Sequence, residues 1–259
     1  MSTAHGERLR SALIWARQRP VRILVRMGGA DFWSNGIHLN VIEAASLGEG
    51  SAADESWRNI NAINDLALEL IGSAQQLTVA ALGGNNGAGG CFLARAADLV
   101  WAREPVMLNP HYKNMGNLYG SEYWTYLLPR RVGADAAKAI MRDRQPLTAQ
   151  RAVETGFTDA CLAGDVPAFR LEVERHAAEL ASAPDFAERI AAKCAARACD
   201  EAAKPLATYR EEELTHMRRN FYGFDPSYHI ARHHFVRKSP ASWTPRHLAR
   251  HRELGWSIL

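Results

Sequence analysis

The sequence lacks the features that define several large classes of protein. No apolar run approaches the roughly 20 residues that a membrane span requires, and the polar N-terminus has no apolar signal segment. The net charge of +3 is small, and its lysines and arginines are spread along the chain, which argues against a nucleic-acid-binding surface. These absences predict a cytoplasmic protein that acts without a membrane or a nucleic acid.

Cysteines are also few, and none of them stands in a CxxC pair. The four thiols, at positions 91, 161, 194 and 199, are expected to be reduced in the cytoplasm. His229 and His233 would share a helix face, with His234 adjacent, but neither an HExxH motif nor a nearby carboxylate accompanies them. We therefore predict no metal site.

The pattern of apolar residues indicates an α/β core followed by a helical region. Residues 21–27 and 77–82 are typical of buried strands, and apolar residues recur at three- and four-residue steps over 56–71. Shorter strands are predicted near 98–102 and 106–109, and helices over 11–18, 166–183, 185–198, 200–219 and 226–237. Alternating strands and helices predict a mainly parallel sheet. The expected domains are the core, 1–165, and the helical region, 166–259.

Two glycine-containing turns, SNGIH (34–38) and GAGG (87–90), each follow a predicted strand and precede a helical segment. Turns of this kind point backbone N–H groups outward, and two that converge can bind a carbonyl oxygen as negative charge builds on it. Either turn alone could equally be structural. The second turn does not have the GxGxxG spacing and downstream acid of a dinucleotide site.

Together the two turns and their neighbours resemble the crotonase (enoyl-CoA hydratase/isomerase) superfamily. FWSNGIHL (32–39) is similar to its F-S-A-G-x-D-L element, and GNNGAGGCFLARAADLV (84–100) to its G-x-A-x-G-G-G-x-x-L element. LLPRRVG (127–133) and PLTAQRAVETGFTDACL (146–162) match two later elements in the same order. The resemblance covers about residues 8–165. It implies an α/β fold of the ClpP/crotonase type, a spiral of ββα units with a helical C-terminal region.

The resemblance also implies an oxyanion hole. Its two donors would be the main-chain N–H groups of Ile37 and Gly89, with the thioester oxygen of an acyl-CoA between them. Hydratases of this superfamily carry two catalytic glutamates, whose places here are near Phe92 and near residues 110–112. No carboxylate stands in either place. Since addition of water to a C=C bond needs acid and base groups there, a hydratase reaction is not expected.

In place of those acids stands the tyrosine-rich segment HYKNMGNLYGSEYWTY (111–126). We expect Tyr112 and Glu122 to meet in the pocket as proton donor and acceptor. Glu122 is predicted in the first turn of a helix, where the helix dipole favours the ionised carboxylate. The alternative is that the aromatic residues of this segment only pack the acyl pocket.

Longer strings resemble one subgroup of the superfamily, the C-terminal domain of the HypX (HoxX) family of [NiFe]-hydrogenase maturation factors. They are SNGIHLNVIEAA (34–45), ESWRNINAIND (55–65), the run 108–133 and KPLATYREEEL (204–214). In that family a formyl-tetrahydrofolate-dependent domain passes a formyl group to coenzyme A, and the crotonase-like domain releases CO from formyl-CoA. The resemblance therefore implies formyl-CoA decarbonylation, with Tyr112 and Glu122 as the proton-transfer pair.

Partners follow from the same resemblance. They are an acyl-CoA, a formyltransferase domain or protein, and other hydrogenase maturation proteins. The chain has no formyltransferase-like region and lacks the first strand expected before the helix at residue 11. It is therefore expected to be a piece of a longer protein or a stand-alone relative. Crotonases are often oligomers, and an oligomer is compatible with this sequence.

Coenzyme A is expected to lie against the main chain near Asn35 and Gly36. In FVRKSP (235–240), Phe235 and Lys238 resemble a segment that places an aromatic ring and a lysine near the adenine and a phosphate; an ordinary surface lysine is the alternative for Lys238. The remaining candidates for binding the substrate or CoA lie within 111–126, and they are His111, Tyr119, Ser121 and Tyr126.

Two other functions stay open on the sequence alone. One is a different crotonase-type reaction, hydrolysis or isomerisation, on a small acyl-CoA. The other is a non-catalytic module that binds CoA or a partner. A panel of acyl thioesters separates them, because only an enzyme turns one of them over.

Overall fold

The computed structural model describes residues 1–239, so the end of the predicted helical region, 240–259, lies outside the described residues. The strands are Ile23–Met27 (β1), Phe32–Ser34 (β2), Leu77–Leu82 (β3), Asn85–Gly87 (β4), Leu99–Arg103 (β5), Met107–Asn109 (β6), Leu147–Thr148 (β7) and Ala160–Leu162 (β8). The helices are Thr3–Arg17 (α1), Leu39–Ala45 (α2), Ala52–Ile71 (α3), Gly89–Arg95 (α4), Trp124–Val132 (α5), Ala134–Asp143 (α6), Ala149–Glu154 (α7), Val166–Ser182 (α8), Phe186–Ala203 (α9), Leu206–Tyr222 (α10) and Ser227–Arg237 (α11).

The strands form two four-stranded sheets. The first has the order β1-β3-β5-β8 and is parallel throughout, while the second has the order β2-β4-β6-β7 with only β7 antiparallel. From β1 to β6 consecutive strands alternate between the sheets, and helices follow each of these three strand pairs. This repeat of strand, strand and helix is the predicted spiral of ββα units. β3 lies at the centre of the first sheet and is buried along its whole length, as its continuous apolar run LTVAAL predicts.

The C-terminal helices share the main hydrophobic core with the sheets. Met217 and Phe221 of α10 and Tyr228 of α11 belong to the same buried cluster as Leu82 of β3 and Val100 of β5. Hydrophobic burial therefore holds α10 and α11 against the first part of the chain. The division at residue 165 stays a prediction about organisation, since the core crosses it.

Several helix boundaries differ from the predicted ones, and two of these differences have a clear physical cause. α1 begins at Thr3 rather than at residue 11, because Ser2 caps it by accepting a hydrogen bond from His5 N (3.3 Å). The helix predicted over 200–219 is two helices, because Pro205 has no N–H to continue α9 and begins α10 instead. No helix among the described residues is long and apolar enough to cross a membrane. The expected cytoplasmic location stays a prediction.

Candidate active site

The candidate active site is a cavity of about 710 Å³. Residues at the ends of three strands line it: Asn35 follows β2, Gly87 ends β4 and Asn109 ends β6. Because these strands run parallel, their carboxyl ends meet at one edge of the second sheet. That edge is where α/β folds commonly bind their ligands.

The loop after β2 brings Ile37 to the cavity. Gly36 has a φ of 75°, a left-handed conformation that glycine adopts without strain. The neighbouring amides are engaged, since Gly36 N donates to Ser34 Oγ (3.3 Å) and His38 N donates to Asn59 Oδ1 (2.9 Å). Within residues 1–239 the Ile37 N–H between them has no acceptor. It is free to bind a ligand oxygen.

The loop after β4 brings Gly89 to the same cavity. Gly89 is the first residue of α4, where N–H groups lack an acceptor within the helix, and no side chain caps this helix. The two loops pack main chain against main chain, so a Cβ added to Gly36 would lie 3.1 Å from Gly89 N. Ile37 and Gly89, the two predicted oxyanion-hole residues, therefore line one cavity from adjacent loops. That their amides bind a thioester oxygen stays a prediction.

Tyr112 and Glu122 meet beside Gly89. The Tyr112 hydroxyl donates to Glu122 Oε2 (2.6 Å) and lies 2.9 Å from the carbonyl oxygen of Ser121. The Glu122 carboxylate packs so closely on Gly89 that a Cβ there would overlap it. Both side chains line the cavity, although Tyr112 is only 6 % exposed and Glu122 only 1 %. The predicted pair of phenol and carboxylate is thus assembled next to a free amide.

The expected reason for ionisation of Glu122 is wrong. Glu122 has a φ of 60° and precedes α5, whose first residue is Trp124, so it does not lie in the first turn of that helix. Burial raises the pKa of Glu122 to about 7, although the hydrogen bonds from Tyr112 and from the main chain act in the opposite direction. Burial and the Glu122 charge raise the pKa of Tyr112 well above its usual value. The phenol therefore stays protonated while the carboxyl titrates near neutrality.

Buried polar side chains from two helices hold the main chain around Glu122. Asn64 Oδ1 on α3 accepts from Glu122 N and from Ser121 Oγ, each at 2.9 Å. Glu213 on α10 accepts from the next residue, Tyr123, at 2.9 Å. Asn64 and Glu213 were not among the predicted site residues. Glu213 had a signal in the sequence, since helical spacing places it on the same face as the buried Met217.

His111 and Asn109 contribute unpaired polar atoms to the cavity wall. His111 is 3 % exposed, and neither of its ring nitrogens has a hydrogen-bond partner in the structure. Asn109 Oδ1 is likewise buried and without a partner. Burial and the Arg144 charge lower the pKa of His111, which favours a neutral imidazole with one donor and one acceptor. Asn109 was also missed by the sequence analysis, although it ends a predicted strand, as site residues often do.

The predicted binding residues separate into two groups. Asn35, Gly36, His111 and Phe235 line the cavity, with Phe235 at its mouth and 55 % exposed. Four others do not line it. Three have side-chain partners elsewhere: Tyr119 stacks on His216 with 4.0 Å between the ring centres, Ser121 donates to Asn64, and Tyr126 donates to Asp200 (2.9 Å). The fourth, Lys238, contacts the cavity only through Phe235, since its Nζ lies 5.0 Å from the centre of that ring.

No group of three or more His, Cys, Asp and Glu side chains within residues 1–239 is arranged to hold a metal ion. The histidines of α11 instead bind other groups. His233 Nδ1 lies 2.8 Å from Glu43 Oε1, and His229 contacts the carbonyl oxygen of Phe221 and the guanidinium of Arg232.

Comparison with known proteins identifies the family. The model of the enoyl-CoA hydratase/isomerase family matches residues 4–246. The chain belongs to the enoyl-CoA hydratase/isomerase family. Members of this family bind CoA thioesters. The predicted fold is also confirmed, because an enoyl-CoA hydratase from Bacillus halodurans superimposes with a TM-score of 0.74 over 90 % of this chain and 89 % of its own, at 16 % identity.

Two hydrogenase maturation factors are more similar in sequence. The chain is 54 % identical to "Hydrogenase maturation factor HoxX" of Bradyrhizobium diazoefficiens, over 97 % of this chain and 44 % of that protein. HypX of Aquifex aeolicus, solved in complex with tetrahydrofolic acid, is 48 % identical and has a TM-score of 0.89 over 100 % of this chain and 45 % of that one. The chain thus spans less than half the length of these relatives.

Within the enoyl-CoA hydratase/isomerase family this cavity departs from the hydratase pattern. Phe92, the residue expected near the place of one hydratase glutamate, is fully buried and stacks on the Tyr112 ring with 5.3 Å between the ring centres. The cavity's acid comes instead from Glu122, which reaches Gly89 from the loop before α5. The chemistry available is therefore proton transfer through one carboxyl and one phenol beside two free amides.

Proposed function

We propose that this chain decarbonylates formyl-CoA to CO and CoA in the maturation of [NiFe] hydrogenase. The observation that carries this function is the buried Tyr112–Glu122 pair, joined by a 2.6 Å hydrogen bond and packed on Gly89, whose amide is free. The similarity to HoxX and HypX supports the same role. Tetrahydrofolic acid, bound in the HypX structure, is a one-carbon carrier and fits a formyl donor elsewhere in the longer relatives.

In the proposed reaction the amides of Ile37 and Gly89 hold the formyl oxygen and polarise the carbonyl group. The Glu122 carboxylate, assisted by the Tyr112 hydroxyl, removes the formyl hydrogen as a proton. The electron pair of the broken C–H bond becomes part of CO as the C–S bond breaks, and the bonding pair of that bond leaves on sulfur. The proton then passes to the thiolate, so formyl-CoA yields CO and CoA with no oxidant or reductant.

The crowding beside Gly89 supports a one-carbon acyl group. The Glu122 carboxylate already touches the Gly89 Cα, and Gly120 leaves no room for a Cβ because the Tyr112 ring packs against it. A thioester oxygen bound at the Gly89 amide would therefore place its carbonyl carbon close to the base. A formyl hydrogen fits there more readily than a longer chain.

Coenzyme A would enter along the loop at Asn35 and Gly36, with Phe235 at the cavity mouth. Lys238, whose Nζ lies 5.0 Å from the centre of the Phe235 ring, is the candidate cation for a phosphate of coenzyme A. Tyr119, Ser121 and Tyr126 would support the wall rather than contact the ligand.

The test is CO release from formyl-CoA by the full chain, followed by the spectral shift of a haem protein. We expect Tyr112→Phe to lower the rate by about 10²-fold or more and Glu122→Gln to abolish it, since each removes a proton-transfer group. Matched controls are Tyr222→Phe and Glu212→Gln, whose side chains are exposed or bonded away from the cavity. Wild-type rates in both site variants would refute the assigned roles.

Hydrolysis is the second candidate, and His111 is the observation that favours it. Its unpaired imidazole in the cavity wall could bind and deprotonate a water molecule, which would turn formyl-CoA into formate and CoA. Product analysis separates the reactions, because decarbonylation gives CO and hydrolysis gives formate. Binding of CoA thioesters without either product would instead indicate a non-catalytic module.

A further inference from the structure

The loop that carries Glu122 has an unfavourable main-chain conformation. We call residues 119–125 the acid loop. Within it Gly120 has a φ of 95°, and the non-glycine residues Glu122 and Tyr123 have φ values of 60° and 59°. Side-chain-bearing residues rarely adopt two successive left-handed conformations, and they do so only where the surroundings impose them. Some other part of the protein must therefore hold the acid loop.

Side chains on one face of α10 fix the acid loop by accepting hydrogen bonds from its main chain. Asn220 Oδ1 accepts from Tyr119 N (3.0 Å), and Met217 Sδ accepts from Gly120 N (3.2 Å). Glu213 accepts from Tyr123 N and Thr125 N, both at 2.9 Å. The three side chains are four and three residues apart, so they lie on one face of the helix. Each of them binds main-chain amides of the acid loop.

Glu213 is the strongest of these contacts. It is fully buried, and it also accepts from Thr125 Oγ1 at 2.6 Å. No lysine or arginine of the described residues forms an ion pair with it. Burial raises the pKa of its carboxyl group to about 8, although the hydrogen bonds from Thr125 and Tyr123 act in the opposite direction. Burying an acid without a cation costs stability unless hydrogen bonds satisfy its oxygens, and here donors of the acid loop supply those bonds.

We propose that Glu213 is a positioning residue for the Glu122 carboxylate. It acts through the main chain of Tyr123 and Thr125, fixing the left-handed turn that points Glu122 at Gly89. This role rests on the proposed function, in which Glu122 accepts the substrate's proton. It also gives the C-terminal helical region a part in the reaction, through the hydrogen bonds of α10 to the acid loop.

The test is Glu213→Gln in the full chain, with Glu212→Gln as the matched control. Gln offers an –NH2 where Glu213 has an acceptor oxygen, so one amide of the acid loop loses its partner. Glu212 is the adjacent residue, pairs with Lys204 at the surface and is half-exposed. We expect Glu213→Gln to lower kcat at least tenfold while KM changes less than threefold, because misplacing a catalytic group affects turnover more than binding. Glu212→Gln should change neither.

A milder variant separates the loss of positioning from the effects of misfolding. Thr125→Val keeps the side-chain shape and removes only the hydroxyl that donates to Glu213, so we expect a severalfold loss of kcat in a protein of nearly normal stability. Unchanged kcat in Glu213→Gln and Thr125→Val would overturn the role.

Failure of the proposed function gives a different result. In that case the wild-type chain makes no CO, and the position of Glu122 can still be read from crystal structures of wild type and Glu213→Gln. Displacement of the Glu122 carboxylate from Gly89 by about 1 Å or more supports the positioning role. An unmoved carboxylate overturns it, whatever reaction the cavity performs.

Discussion

At the scale of single residues, burial controls the chemistry of Glu122. Among residues 1–239 no lysine or arginine pairs with the carboxyl group, and its short 2.6 Å hydrogen bond comes from Tyr112, a neutral phenol. Burial therefore raises its pKa to about 7 instead of leaving it in the usual acidic range. A base with a pKa near neutrality can accept the formyl proton and then release it to the thiolate, and decarbonylation requires both steps.

The pH dependence of CO release follows from this pKa. Glu122 must be ionised to accept a proton, so kcat/KM should rise with pH through about 7 and level off above about 8. Below about pH 6 it should fall about tenfold for each pH unit. Tyr112 does not titrate in this range, because its pKa is raised well above its usual value, so its ionisation adds no second change to the rate profile. A rate profile measured from about pH 5.5 to about pH 8.5 checks this expectation, and a rate independent of pH across that range would contradict it.

Some features of the candidate site could be predicted from the sequence, and others could not. Ile37, Gly89, Tyr112 and Glu122 line one cavity, as the order of the two glycine turns and the tyrosine-rich segment predicted. The left-handed turn at Glu122 was not predictable, because neither Glu122 nor Tyr123 is a residue type that marks such a conformation. Tertiary hydrogen bonds impose this turn, and local sequence does not record them.

At the scale of elements, a buried ion pair fixes α2 to α11. Arg232 Nε donates to Glu43 Oε2 at 2.9 Å, and both side chains are about 5 % exposed. Burial opposes the ionisation of Glu43, yet hydrogen bonds from Arg232 and His233 hold the pKa of its carboxyl below its usual range. α2 begins directly after the loop that carries Ile37, so this contact also anchors one side of the cavity.

Removing one partner of this ion pair should be costly. Arg232→Met leaves the buried Glu43 carboxylate with only His233 at 2.8 Å and the more distant Arg237 at 3.8 Å, and we expect a loss of about 3–5 kcal/mol in the free energy of unfolding. Arg237→Met is the matched control, because Arg237 is 48 % exposed and 3.8 Å from the same carboxylate, and its loss should cost below about 1 kcal/mol. Urea unfolding of both variants measures the difference. Equal losses would mean that the buried pair contributes no more than a surface contact.

The long elements were predictable, whereas several of the shortest strands were not. β3 coincides with its predicted range, and α8 begins at the predicted residue, because long apolar or helical patterns carry their own signal. β4, β7 and β8 were missed because each has only two or three residues. Such strands are defined by their partners in the sheet, as β7 is by its pairing with β6, and no periodicity develops over so few residues.

At the scale of the whole molecule, one hydrophobic core contains residues from both sides of the predicted boundary at residue 165. Phe221 and Tyr228 are buried against residues of the first part, and the Tyr228 hydroxyl shares a 2.7 Å hydrogen bond with Ser56 of α3. α10 also supplies the side chains that bind the acid loop. The helical region therefore completes both the core and the site, although its sequence pattern differs from that of the sheets.

A chain ending at residue 165 should consequently not fold as a cooperative unit. It would expose the apolar surface that Met217, Phe221 and Tyr228 cover and would leave Ser56 and the acid-loop amides without partners. We expect it to bind a hydrophobic dye, to melt without a sharp transition and to have no affinity for CoA thioesters, whereas the chain 1–239 should retain a cooperative transition. Dye fluorescence, calorimetry and thioester binding on both chains check this. A sharp transition with intact thioester binding in 1–165 would establish that segment as an independent domain and leave the helices as an accessory.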